Sequence, residues 1–228
     1  MLNTPMPIEA HALRAIQGVV FDCDGVLFNT RDLNTHYYNF ILTELGLAPM
    51  TAEQKEYSFM HTVDAALAAL IPPELMPRAQ AVQAQMVYAD FLDQMRPEPG
   101  IYELLATLKD CGLYVAVNTN RKTSMEMVLE RFAMQGIFDP VITAAKVERP
   151  KPDPQGLQMI LAAWNLAQDQ VVFIGDSDVD QQTTTRAGVP FWAYQNPDLT
   201  AQLHVDSFDD LRQWFSVAHG PVSALRDF

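Results

Sequence analysis

Residues 17–25 read QGVVFDCDG, a short apolar run that ends in two acids, Asp22 and Asp24, separated by one residue. Stretch 17–23 is too short for a helix and reads as a buried strand. Further apolar runs of strand length follow: LYVAVN (113–118), VIT (141–143), VVFIG (171–175) and PFWAY (190–194). Between them the apolar period becomes helical. Ile101, Leu104, Leu105 and Leu108 align over 100–111, and Met125, Val128, Leu129 and Phe132 align in the next helix. Leu157, Ile160, Leu161 and Trp164 align in a third, whose start is signalled by Asp153 at the N-cap and Pro154 in the first turn. Helices over 177–187 and 207–217 complete the series. Apolar strands alternating with helices predict an α/β fold, a parallel sheet covered on both faces.

One stretch breaks the alternation. Between 30 and 97 the pattern predicts four helices and no strand. The first, 30–46, aligns Leu33, Tyr37, Phe40, Ile41 and Leu45 and stops at Gly46. A second covers 51–59. A third aligns Val63, Ala66, Leu67 and Leu70 and ends before Pro72-Pro73, and a long fourth covers 74–95. Pro97 and Pro99-Gly100 mark the break. The division expected is therefore an all-helical cap, 30–97, inserted into a core made of 1–29 and 98–228.

A chain of 228 residues can bury a core of this size. Its 49% hydrophobic and 19% charged residues argue against disorder. Lys+Arg number 15 against 28 Asp+Glu, a net charge of −13. That field repels phosphate backbones and anionic lipid, so neither nucleic acid nor a membrane is expected as a partner. A small anionic substrate stays open, because one cation or metal reverses the sign inside a cleft. Cys23 and Cys111 cannot form a disulfide framework and read as reduced and buried. The N-terminal stretch carries proline and acid without a continuous apolar core, so no signal peptide is read there. A cytoplasmic monomer or homodimer is expected.

In sheets of this class ligands gather beyond the carboxyl ends of the strands. The first strand ends in Asp22-Cys23-Asp24-Gly25 and the second in Asn118-Thr119-Asn120-Arg121. The third is followed by Arg149-Pro150-Lys151-Pro152, and the fourth ends in Gly175-Asp176-Ser177 with Asp180 beyond. Singly, each has a plain reading: a turn at Asp22-x-Asp24, a capping box at Ser177-x-x-Asp180, a solvated turn at Lys151. Together, on four successive strand ends, they point to a site. Carboxylates so crowded need compensation. Mg²⁺ suits them, since it takes oxygen ligands, one or two carboxylates and a substrate phosphate.

The segments FDCDGVLFNT (21–30), VNTNR (117–121), RPKPDP (149–154) and FIGDSDVD (173–180), in that order, resemble the four motifs of the haloacid-dehalogenase superfamily. The resemblance is to its phosphoglycolate-phosphatase-like hydrolases with a helical cap. It implies a Rossmann-like core and a Mg²⁺-dependent phosphomonoester hydrolase acting on a small phosphorylated metabolite, such as phosphoglycolate or a sugar phosphate, through an aspartyl phosphate. It further implies that Asp22 is the nucleophile and Asp24 the general acid/base. Thr119 and Asn120 contact the phosphorylated substrate, and Lys151 offsets charge on Asp22 and the phosphoryl oxygens. Asp176 holds the metal together with the Asp22 carboxylate and the Asp24 carbonyl, and Asp180 orients the metal's waters.

The residue types suit that chemistry. A carboxylate nucleophile needs no activating base, and a second acid two residues on can protonate the leaving alcohol and then take a proton from water. Asn29 stands where many relatives carry Asp, and Cys23 where they carry Leu or Met. Related β-phosphoglucomutases carry Lys-Gly and a nearby Arg in a cap loop. Here the stretch reads Ser58-Phe59-Met60-His61-Thr62, which argues against a mutase. The metal-free dehalogenase reaction does not pair two acids as Asp22-Cys23-Asp24 does. A silent regulatory protein would be expected to have lost a motif residue. His61, the one ionisable side chain of 58–62, is expected to face the leaving group, whereas His36 reads as a surface or packing residue.

Overall fold

In this computed structural model, residues 10–220 are described. The N-terminal reading over 1–9, and the expectation of no site over 221–228, lie outside them. The chain begins with a short helix, α1 (Ala10–Ala15), absent from the sequence reading, and enters β1 (Gly18–Phe21). A two-residue strand β2 (Phe28–Asn29) leads into the helical insert: α2 (Arg31–Glu44), α3 (Ala52–Met60), α4 (Val63–Leu70) and α5 (Met76–Gln85). The chain returns through β3 (Arg96–Pro97), antiparallel to β2. The core resumes with α6 (Ile101–Asp110), β4 (Tyr114–Thr119), α7 (Met125–Arg131) and β5 (Val141–Thr143). It closes with α8 (Gln155–Trp164), β6 (Val171–Gly175), α9 (Asp178–Ala187), β7 (Phe191–Tyr194), β8 (Leu203–Val205) and α10 (Phe208–His219).

The sheet has six parallel strands in the order β5-β4-β1-β6-β7-β8. Successive side chains of β1 point to opposite faces. Val19 and Phe21 join a cluster with Leu104, Leu108, Leu211 and Phe215, whereas Val20 packs with Leu157, Ile160 and Phe173. Both faces are therefore dry, which is why the strands read as unbroken apolar runs. The insert has a cluster of its own, including Tyr37, Ile41, Leu42, Leu67 and Ala79.

Four expectations need correction. The fourth cap helix is not continuous over 74–95: a 3₁₀ turn at Pro73–Leu75 precedes α5, and a 3₁₀ segment, Tyr88–Gln94, follows an extended Met86 and Val87. The break has a packing cause. Ala79 of α5 faces the cap's cluster, whereas Leu92 faces the sheet-side core, and one straight helix could not serve both. The stretch 30–97 is not strand-free, because Arg96 and Pro97 pair with Asn29 and Phe28. Phe40 is 46% exposed, and Tyr38 and Leu42 complete the buried face of α2. Helix α8 starts one residue later than expected, with Pro154 at the N-cap, although Asp153 Oδ1 still accepts from the Gln155 amide at 3.0 Å. The edge strand β8 was also unforeseen.

Candidate active site

Strand register assembles the site. Phe21 pairs with Val117 on one side and Ile174 on the other. Asp22 therefore leaves the sheet between two neighbours that are themselves ending, at Thr119 and at Gly175 before Asp176. The Asp22 amide continues the ladder for one step, donating to the Ile174 carbonyl at 2.9 Å. Gly25 then turns the chain away with φ +84°, and a side chain there would collide with the Asp176 carboxylate.

Lys151 lies at the centre. It is buried, and its Nζ donates to Asp22 Oδ1 at 2.7 Å and to Asp180 Oδ1 at 2.6 Å. Asp180 is fully buried, and its other oxygen accepts from Ser177 Oγ at 2.6 Å and the Ser177 amide at 3.2 Å. Ser177 and Asp180 also form the capping box of α9, so the plain structural reading and the functional one hold together. Gly175 gives room for this: a Cβ there would sit 2.5 Å from the Asp180 Cβ.

Electrostatics favour a bound cation. Carboxylate oxygens of Asp22, Asp176 and Asp180 lie within 4.8 Å of one another. One ammonium serves two of these three groups, which leaves two negative charges uncompensated. Asp22 is pushed up to about 7 by burial, with Asp180 and Asp24 adding to the rise and Lys151 opposing it. Asp176 also lies well above the carboxylate range, through burial first and then the charges of Asp180 and Asp22. Burial works against the Lys151 ammonium, but Asp180 and Asp22 outweigh it and hold it protonated. An all-oxygen donor set with a double negative excess fits a hard divalent cation such as Mg²⁺.

Asp24 is held differently. Its carboxylate accepts from Arg121 Nε at 2.8 Å, Arg121 Nη2 at 2.5 Å and Thr30 Oγ1 at 2.6 Å. Thr30 is the N-cap of α2, yet its side chain makes no capping bond; the hydroxyl goes to Asp24 instead. Arg121 is a residue of the candidate site that the sequence pattern did not single out. Its signal was present, a guanidinium two residues beyond Thr119 on a strand end.

Among the expected residues, Asp22, Asp24, Thr119, Asn120, Lys151, Asp176 and His61 line one chamber of about 560 Å³ between sheet and insert. Asp180 stands behind it. Thr119 Oγ1 accepts from the Arg121 amide at 3.1 Å, and Asn120 Nδ2 donates to the Lys151 carbonyl at 3.1 Å. The buried Asn120 Oδ1 has no partner among the described residues. Stretch 58–62 is not a loop throughout: Ser58, Phe59 and Met60 end α3, and His61-Thr62 alone bridges to α4. His61 stacks on Tyr57 at 4.0 Å, with Nδ1 2.9 Å from the Tyr57 carbonyl. His36 is exposed, with Nδ1 3.0 Å from the Asp32 carbonyl. Cys23 is buried as expected, and burial pushes its thiol up. Cys111 is half-buried. No helix among the described residues is long and apolar enough to cross a membrane.

The profile of a family described as haloacid dehalogenase-like hydrolase matches residues 19–194. A phosphoglycolate phosphatase of Caulobacter vibrioides is 28% identical over 208 residues, 85% of this chain and 88% of that one. Pyrophosphatase PpaX of Halalkalibacterium halodurans is 26% identical over 182 residues, 76% of this chain and 81% of that one. A crystal structure of a HAD-superfamily hydrolase of subfamily IA from Geobacter sulfurreducens superimposes with a TM-score of 0.74 at 32% identity, covering 88% of this chain and 97% of that one.

Proposed function

We propose that this protein, which belongs to the haloacid dehalogenase-like hydrolase family and acts on phosphate esters, is a Mg²⁺-dependent phosphomonoester hydrolase working through an aspartyl phosphate on Asp22. The observation that carries the reading is Lys151 bridging Asp22 and Asp180 inside a three-carboxylate cluster.

Asp176 and the Asp22 carboxylate, with the Asp24 carbonyl, would hold the metal. Bound there, Mg²⁺ supplies charge compensation for the phosphoryl oxygens. Asp22 attacks phosphorus, forming an O–P bond as the bond to the leaving alkoxide breaks. Asp24 gives its proton to that alkoxide. It then takes a proton from water, whose oxygen forms the new bond to phosphorus while the Asp22 ester bond breaks. Lys151 stays charged throughout and offsets the phosphoryl oxygens, with Thr119 and Asn120 as hydrogen-bonding contacts. Asp180 uses both oxygens to fix Lys151 and Ser177, and in the loaded site it would face the metal's waters. The donors on Asp24 hold it as an acceptor. To act as an acid it must loosen from Arg121 and Thr30, and Thr30 sits where β2 passes into the cap.

Hydrolysis of para-nitrophenyl phosphate, abolished by chelation and restored by Mg²⁺, tests the reading together with acid-trapped phosphate on an Asp22 peptide. Full turnover in metal-free protein, or phosphate trapped elsewhere, would refute it.

A further inference from the structure

We propose that the leaving group this site takes is an uncharged, hydroxyl-rich alcohol of sugar or nucleoside size, read by the wall that α2 and α5 present to the chamber. The inference rests on the hydrolase reading and adds the chemistry of the group that leaves.

Size is the first argument. At about 560 Å³ the chamber lies within the range of sites that enclose whole small molecules, and a two-carbon ester would leave most of it as water. Charge is the second. Arg121, Lys122 and Lys151 line the chamber, and each already faces a carboxylate. Arg121 holds Asp24, Lys151 holds Asp22 and Asp180, and Lys122 lies 2.9 Å from Asp64 of α4. The hydrogen bond between His61 and the Tyr57 carbonyl requires the proton on Nδ1, so the neutral ring offers Nε2 as an acceptor. A carboxylate on the leaving group would have to compete with Asp24, Asp22 and Asp180 for Arg121 and Lys151, and with Asp64 for Lys122, whose exposed pair is the weakest of these, in a chain of net charge −13.

The chemistry of the wall is the third argument. Asn34, Gln80, Gln83 and Tyr37 line it, and Gln83 Nε2 donates to the Tyr37 hydroxyl at 2.8 Å. Each carboxamide both donates and accepts, which matches alcohol hydroxyls, whereas a carboxylate only accepts. Phe59 and Met86 add apolar surface for the carbon skeleton.

The experiment compares kcat/KM for matched esters on the full chain with Mg²⁺ at mildly alkaline pH. Sorbitol phosphate is set against phosphogluconate, and hydroxyethyl phosphate against phosphoglycolate. In each pair the members differ in a carboxylate. The uncharged member is expected to lead by at least about tenfold, with the sorbitol ester above the two-carbon ester. Gln83→Lys should narrow the gap several-fold by supplying a cation. Equal or reversed preference in the pairs overturns the proposal, and so does a Gln83→Lys effect equal on both members. Para-nitrophenyl phosphate separates the two failures. If it is hydrolysed without discrimination in the pairs, only the leaving-group proposal falls. If it is not hydrolysed, the hydrolase reading falls and takes this proposal with it.

Discussion

On the sheet side of the chamber, Asp22, Asp24, Lys151 and Asp180 are held by ion pairs of 2.5 to 2.7 Å. On the cap side, Gln83 and Tyr37 meet through a neutral hydrogen bond, and His61 rests on Tyr57. A cation–acid pair between core and cap at the chamber, Lys122–Asp64, is exposed, with side chains 57% and 70% accessible, and is worth at most about 1 kcal/mol. The difference separates two tasks. A phosphoryl group is the same in every ester, so its site can be rigid and charged. On the proposed reading the leaving group varies, and it would be met by neutral contacts on an element joined to the core by two crossings. Core substitutions should therefore be severe and indifferent to substrate, and cap substitutions mild and selective.

The most severe test is Asp22→Asn. Turnover should fall by about four to six orders of magnitude on every ester, because an amide does not attack phosphorus. The same variant should be more stable without metal. Asp22, at about 7 in the fold against 3.8 ordinarily, holds its proton where the unfolded chain has lost it. Folding stability from this group is thus present at low pH and falls as pH climbs from about 4 to about 7. The amide does not titrate, so the melting temperature of Asp22→Asn should gain on wild type across that window. A gap that stays constant with pH would contradict the burial argument.

Next comes the metal. Asp176→Ala should abolish activity or raise the Mg²⁺ requirement at least about tenfold, since it removes one of the oxygen donors. An unchanged Mg²⁺ titration would remove Asp176 from the ligand set.

Arg121→Met should cost less, about ten- to a hundredfold in kcat for alkyl phosphates, because Asp24, although it must loosen from Arg121 to give up its proton, then has Thr30 alone to place it before and after that step. Para-nitrophenyl phosphate should suffer less, because its leaving group needs little protonation. A merely structural role would lower both alike. Arg121→Lys should recover part of the loss, since an ammonium keeps the charge but not the two-point geometry.

The core's readability and the cap's resistance have physical causes. Strand ends were legible because Phe21, Val117 and Ile174 are bound in register, so a sequence position fixes a place in space. Arg121 stood within a recognised motif, but its partner Asp24 is 97 residues away, and no local pattern announces that pairing. In the cap, periodicity found the helices yet could not tell which core each half would serve. The break after Gln85 and the exposure of Phe40 therefore leave no mark in the apolar period. The short edge strand β8 and the helix α1 owe their form to tertiary contacts, and three to six residues carry too little period to show it.

The mildest prediction concerns His61, where cap and core are most directly compared. The ring lines the chamber from the junction of α3 and α4, and its Nδ1 and one ring face are occupied by Tyr57. What it can present to a leaving group is Nε2, an acceptor in the neutral ring that suits a hydroxyl. His61→Ala should therefore reorder the esters in a screen, lowering hydroxyl-rich alcohols relative to para-nitrophenyl phosphate. Hydrolysis of the aryl ester should stay within about tenfold of wild type, a barrier change of no more than about 1.4 kcal/mol. A uniform loss across all esters would place His61 with the core machinery and break the division drawn between the two walls. An unchanged ranking would narrow leaving-group reading to the α2–α5 wall alone.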